Sequence, residues 1–324
     1  MTGTHIQVRR TFDSDEHGEP QEEIACPLCG EQDEELVLVA RDLLFAKPGR
    51  YRLVRCRGCA LEYVNPRPTP PALGPHYPED YFGYAIHEKE PPLIAPLLRA
   101  FARGISKRRI AYLERVIGRV EGSLQVLDVG CGVNRLLQHM RELRGVEGLG
   151  LDFKPEIVDH VQNTLGMPIV EGTLHTAGFE DARFDVVLMM EYLEHESDPK
   201  AVLAEARRVT KPGGHIALEL PHISSLPGRL FRSVWWNLDI PRHLIFPTEA
   251  SLRRMLDDVG YELVSVKTFT FPFYVGMSIV QALGQRHWIK NRGWFPIVSA
   301  IVGAPFIPLQ WMLPEFMFAV ARAR

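Results

Sequence analysis

The chain has 324 residues, 46% apolar and 24% charged, the proportions of a folded globular protein, and its length suits one full-sized core with a smaller appendage. A formal net charge of -3 offers no general attraction to nucleic acid or anionic lipid, so nucleic acid is not an expected partner. The opening stretch MTGTHIQVRRTFDSDEHGEP lacks the apolar run of a secretory signal; residues 1–20 are expected to be a flexible N-terminus and the protein cytoplasmic.

Two C-x-x-C pairs come first, Cys26/Cys29 in CPLCG and Cys56/Cys59 in CRGC, with 26 residues between them. In a reducing compartment they read better as four thiolates around one structural Zn2+ than as disulfides, a redox pair or unrelated turns. The intervening ELVLVA and YRLVRC are short and β-prone, and a polar segment this small has little else to fold on. Residues 21–65 are therefore expected to form a zinc ribbon.

Next, LEYVNPRPTPPALGPHYPEDYFGY carries six prolines, so residues 66–92 read as a stiff linker, its tyrosines implying that it packs on something. A helix is expected from about Leu93 to Val120. Its arginines and lysines, Arg99, Arg103, Lys107, Arg108, Arg109, Arg115 and Arg119, read as a solvated face, with an RNA-binding face as the sharper alternative.

From residue 125 strand and helix patterns alternate. QVLDV, GLGLD, MPIVEG, FDVVLMM and HIALEL are strands, and Asp198-Pro199 and Thr248 begin helices. Such alternation specifies an α/β fold, a mostly parallel sheet with helices on both faces.

The first strand runs into VLDVGCGVNRL. A Walker loop would need Gly-Lys-Ser/Thr, which is absent, and a dinucleotide turn would want a third glycine where Arg135 stands. Asp128 just ahead of the turn is unwelcome to a diphosphate and suitable for a cation. Gly130 and Gly132 let backbone approach a ligand, and Asn134 is a residue that tolerates positive φ. VLDVGCG, the LD ending the next strand, FDVV, EHESDP and KPGG, in this order, resemble the motifs of the class I S-adenosylmethionine-dependent methyltransferases, over residues 120 to 268. The departure is Asn134, where that family commonly has glycine.

The resemblance implies a Rossmann-like seven-stranded methyltransferase sheet over residues 93–324 and S-adenosylmethionine as cofactor. It places Asp128, Gly130, Cys131 and Gly132 at the cofactor, Asp152 on the ribose hydroxyls, and Phe153 on the adenine face. Thr173 and Leu174 would meet the adenine edge, and Glu191 and Tyr192 the methionine side. Cys131 is expected to pack, not to react.

Two histidines are candidates for handling the acceptor's proton: His195 in the EH loop, which resembles that of quinone-biosynthesis methyltransferases, and His243 in WWNLDIPRHLIFP. The latter loop, crowded with Trp235, Trp236, Asp239 and Arg242, reads as a substrate wall. Between Arg292 and Glu315 no residue is charged. Because the closing EFMFAVARAR is expected to pair antiparallel beside YELVSVKTFTF, the stretch 273–314 must leave and return on one side. It reads as a hydrophobic helical insertion: a lid, a homodimer surface, or a peripheral foot on the inner membrane face through 293–314 that would meet a lipid-linked substrate.

The zinc module, YVNPRPT linker and methyltransferase core resemble bacterial enzymes that modify sugars, glycans and secondary metabolites. The expected activity is methyl transfer to an O or C atom of a small molecule, sugar or glycan intermediate. Alternatives are an RNA methyltransferase gripping phosphates with ribbon and basic helix, and a non-catalytic cofactor-binding protein.

Overall fold

Alternating β-branched and leucine side chains in ELVLVA and YRLVRC fold back on one another as the hairpin of β3 (Glu34–Ala40) and β4 (Tyr51–Cys56). The computed structural model describes residues 6–12, 19–78, 81, 95–270, 272–283 and 295–324. Ahead of the hairpin, β1 (Val8–Phe12) pairs antiparallel with β2 (Gln21–Ile24), so part of the expected flexible terminus is a strand. Behind it come β5 (Glu62–Val64), which joins β4, and β6 (Arg67–Pro68), which joins β2. The proline-rich stretch continues as a one-turn helix α1 (Pro70–Leu73). It is thus more regular than a bare connector; Phe82 and Tyr84 lie outside the described residues.

The long helix α2 (Ala95–Ile117) buries Ile110 and Leu113 against the sheet. The core then builds in order: β7 (Val126–Val129), α3 (Arg135–Arg144), β8 (Leu149–Asp152), α4 (Pro155–Asp159), β9 (Ile169–Glu171), β10 (Phe184–Met190), α5 (Pro199–Val209) and β11 (Thr210–Pro221). Asp198 caps α5 by accepting from Ala201 N at 3.1 Å, and Pro199 opens that helix. KPGG, which follows α5, lies within the start of β11. After α6 (Leu226–Phe231), β12 (Ile245–Phe246), α7 (Glu249–Asp258) and β13 (Tyr261–Phe269), the insertion supplies α8 (Pro272–Ala282) and α9 (Phe295–Gly303), then a 3-10 stretch to Met312. The chain ends in β14 (Phe316–Ala323).

Seven strands form the main sheet in the order β13-β14-β11-β10-β7-β8-β9. All neighbours are parallel except β14, which runs antiparallel to both β11 and β13, as the closing sequence predicts. This is the Rossmann-like methyltransferase sheet. Strand order reverses between β7 and β10, and the crevice for a ligand opens there, beyond the carboxyl ends of the strands.

The cysteine module is not an outlying bead. β12, from the loop after β11, adds antiparallel to β5, making a four-stranded sheet of order β12-β5-β4-β3. Ile24, Leu28, Val54 and Leu61 share one buried cluster with Leu193, Val202, Leu244 and Leu252. Apolar burial and a strand pairing therefore fasten the module over the mouth of the crevice.

The insertion is helical as expected, although 284–294 lie outside the described residues. Among the described residues no helix is long and apolar enough to cross a membrane.

Candidate active site

β7 ends in a turn that requires its glycines. Gly130 and Gly132 stand at φ +66 and +51, and Asn134 takes the left-handed conformation at φ +58, ψ +29, where asparagine replaces glycine at least cost. A Cβ on Gly130 would meet Cδ2 of Tyr192 at 2.3 Å, so only glycine admits the tyrosine ring closing over the turn. Amides of Gly130 and Cys131 both bond Leu151 O, tying the turn to β8. Cys131 is held behind the turn, its sulfur 2.8 Å from where a Cβ on Gly150 would lie, and burial pushes its thiol up.

Asp152 ends β8 with its carboxylate accepting from Gly132 N at 3.1 Å and Lys154 N at 3.0 Å. Each oxygen has a further lone pair for a diol. Phe153 beside it is 53% exposed. Gly172 N bonds Asp152 O at 2.9 Å, which brings the next turn alongside. There Thr173 is exposed, with its amide and hydroxyl both turned to Thr176 Oγ1, and Leu174 buries its side chain in the core. Asp128 is buried, and its carboxyl is pushed up to about 7 by burial, with Arg109 opposing and Asp152 reinforcing the shift. Two buried carboxyls beside a glycine turn and an exposed aromatic ring are chemically compatible with S-adenosylmethionine, which carries a sulfonium, an ammonium, a ribose diol and an adenine.

Arg109 departs from the solvated-face reading. It turns inward from α2 and grips Glu219 at the end of β11 through Nε at 2.7 Å and through Nη2, while Nη2 also reaches Glu191 at 3.4 Å. Glu219 is fully buried, and this triad was not anticipated. Its one signal was a carboxylate inside the otherwise apolar HIALEL. Glu191 itself sits at φ +54, a strained conformation of the kind that accumulates at functional sites.

Beyond Glu191 a pocket opens, walled by Arg41, Leu43 and Leu44 of the cysteine module and by Tyr81 of the linker. Trp235, Trp236, Asn237 and Asp239 from the loop after β11, and Tyr274, Met277 and Gln281 from α8, complete it with His243. With Glu191, five segments distant in sequence converge there. His243 lines the pocket and His195 lies behind it, ring centroids 4.6 Å apart. His243 Nδ1 donates to Asn237 O at 2.9 Å, and His195 Nδ1 lies 3.2 Å from Arg242 O and 3.0 Å from Tyr77 Oη. Burial pushes both imidazoles down to about 3, so both are neutral at ordinary pH. Glu194, fully buried beside them, has no partner for either oxygen among the described residues, and burial raises its carboxyl well above the usual range.

At the far side of the module, Cys26 and Cys59 bring sulfurs to 3.5 Å, as do Cys29 and Cys56, and all four fall within 4.8 Å of one another. Four thiolates in that arrangement can hold a tetrahedral ion with Zn–S bonds of about 2.3 Å.

The sequence pattern of a family described as a methyltransferase domain matches residues 87–266. The ubiquinone biosynthesis O-methyltransferase of Leptothrix cholodnii is 35% identical over 121 residues, which cover 35% of this chain and 51% of that protein. An uncharacterized 37.1 kDa protein in transposon TN4556 of Streptomyces fradiae is 36% identical over 198 residues, 54% of each chain. Among solved structures, a SAM-dependent methyltransferase from Archaeoglobus fulgidus aligns with TM-score 0.46 and 18% identity, over 70% of this chain and 98% of that one. The chain spans about half the length of the curated relatives it matches. The matched stretch takes in more than half of the chain and contains the Gly130 turn, Asp152 and the EH loop, and the chain belongs to the class I S-adenosylmethionine-dependent methyltransferase family.

Proposed function

We propose that this protein transfers the methyl group of S-adenosylmethionine to an O or C atom of a small-molecule acceptor, with sugar and glycan intermediates included in that class. The observation that carries the proposal is the continuity of the two halves of the site. Arg109, whose charge acts on Asp128 beside the glycine turn, also bonds Glu191, and Glu191 lines a pocket walled by aromatic and charged side chains. The O-methyltransferase named among the relatives supports an oxygen acceptor.

When bound, the cofactor supplies an electrophilic methyl carbon on a positively charged sulfur. Displacement must be in line, so the protein's main task is positioning. Asp152 would hold the ribose hydroxyls and Phe153 would cover the adenine. Asp128 and Glu191 would face the positive groups, with Arg109 keeping Glu191 and Glu219 from repelling one another. Tyr192 covers Gly130 and keeps water from the turn. Trp235, Trp236 and Tyr274 would sandwich the acceptor, and Arg41 and Asp239 would orient its polar groups. His243 and His195 would present neutral nitrogens to the acceptor atom, either as proton acceptors or through a bound ion. The four cysteines would hold a structural Zn2+ that keeps the module's loop 41–44 in the pocket wall.

Calorimetry with S-adenosylhomocysteine tests the cofactor half: measurable heat is expected, and silence there with heat from NADH would overturn the reading. Incubation with methyl-labelled cofactor and separated metabolite, glycan, lipid and RNA fractions tests the acceptor half. Label is expected in the metabolite or glycan fraction.

A further inference from the structure

Glu194, His195 and His243 each bring one ligand atom to within 4.8 Å of the others, in a cluster distinct from the four cysteines. The two histidines arrive from separate loops. His195 ends the 3-10 turn after β10, and His243 precedes β12, where Leu244 N bonds Glu194 O at 2.7 Å and clamps the loops together. Backbone pairing thus sets the cluster before any side chain chooses a partner.

The tautomers follow from the neighbours. Asn237 O can only accept, so His243 Nδ1 carries its proton. Arg242 O likewise makes His195 Nδ1 a donor, with Tyr77 Oη, which itself donates to Arg242 O at 3.3 Å, accepting beside it. In both rings Nε2 is therefore left with a lone pair. Such an Nδ1–H to carbonyl bond is what orients a metal-ligating histidine. Glu194 adds two buried oxygens with no donor. Of the three side chains, Glu194 has both oxygens buried without a partner among the described residues, a state that costs free energy unless a bound cation or a retained proton relieves it. The neighbouring cation does not serve, since Arg242 is engaged by Asp42 and Asp239.

We propose that Glu194, His195 and His243 form a second metal site, a two-histidine, one-carboxylate centre for a divalent first-row ion such as Zn2+, with its open positions facing the acceptor pocket. Bonds of about 2.0–2.1 Å bring ligand atoms to roughly 3.0–3.5 Å from one another, so a small turn of the Glu194 side chain completes the set. Imidazole with a single carboxylate favours zinc and its transition-metal neighbours over calcium or magnesium. His243 lines the acceptor pocket, so an ion on it would bind an acceptor hydroxyl or carbonyl oxygen and favour its deprotonated form. The inference rests on the acceptor pocket proposed above and gives the two histidines the part of ligands.

The test measures metal, not methyl transfer. Full-length protein purified without chelator is assayed for bound metal by mass spectrometry, and apo-protein is titrated with Co2+. Wild type should hold about two ions per chain. One Co2+ equivalent should show thiolate charge-transfer absorption, and the other only the weaker d–d bands of a nitrogen and oxygen site. Glu194→Gln combined with His243→Asn should retain the thiolate ion and bind about one equivalent. A wild-type protein that binds one equivalent, all of it with thiolate absorption, overturns the proposal, and that result needs no folded variant. S-adenosylhomocysteine binding, measured in parallel, reports on the methyltransferase reading independently of either metal count.

Discussion

Arg242 and Asp42 face one another as a fully buried bidentate pair, Nη1 to Oδ2 at 2.9 Å and Nη2 to Oδ1 at 2.8 Å. One belongs to the loop that walls the acceptor pocket and the other to the segment that follows β3 in the cysteine module. Asp42 also caps its own turn, accepting from Leu44 N and Phe45 N at 3.0 Å each. Asp42→Ala leaves a guanidinium half-paired in the interior and should lower stability by about 3–5 kcal/mol. The urea midpoint checks it; a midpoint equal to wild type would show the pair to be energetically idle.

Asp152→Ala should weaken S-adenosylhomocysteine binding about 10- to 100-fold, the loss of charge-assisted hydrogen bonds worth roughly 1.5–3 kcal/mol. Its side chain also accepts from two turn amides, so a slight fall in Tm should accompany the change. Unaltered affinity by calorimetry would remove Asp152 from the ribose contact.

Cofactor affinity should depend on pH near neutrality. Asp128, raised to about 7 chiefly by burial, binds a cation only when ionised. Affinity for S-adenosylmethionine should therefore fall as pH drops from 8 to 6, by up to about tenfold per unit. S-adenosylhomocysteine, lacking the sulfonium, should respond less. For folding the sign is opposite: a carboxyl whose folded pKa is raised holds its proton longer when folded, so the unliganded protein loses that contribution as pH rises toward 7. Parallel titrations with the two ligands at both pH values decide it.

Glu315, at the foot of β14, accepts from Trp235 Nε1 at 2.9 Å and Asn237 Nδ2 at 3.0 Å, and thereby pins the loop that in turn orients His243. Burial raises its carboxyl to about 8, with the Trp235 bond opposing. Wild-type stability should decline as pH rises from the ordinary carboxylate range toward 8 and level off above it, whereas Glu315→Gln should flatten that decline. Glu315→Ala strands two buried donors and should cost about 1–3 kcal/mol. Denaturant midpoints from pH 6 to 9 for the three proteins separate charge from hydrogen bonding.

Removing the Zn2+ proposed for the four cysteines should loosen the module and the acceptor wall together, because β12 is a strand of the module's sheet. Hydrogen exchange should show amides 36–44 and 233–246 losing protection in concert, while 126–152 stay protected. Loss confined to 21–65 would mean that the wall stands without the module.

Much of this was legible in the chain itself. The Gly130 turn, Asp152 at the end of its strand, the four-cysteine spacing and the antiparallel last strand are local patterns, in which periodicity and residue type dictate backbone form. Asn134 was readable as a left-handed residue for the same reason: its conformational preference belongs to its own side chain. What remained hidden depended on residues distant in sequence. Arg109 looks like any solvated helix charge until the helix packs on the end of β11 and Glu219 meets it. Glu194 and His243, 49 positions apart, become one cluster only because Leu244 N bonds Glu194 O. Local propensity decides which strand and turn a segment makes. Which charges are buried, and against what, is decided by packing, because desolvation makes an inward-turned charge tolerable only where the fold delivers its partner.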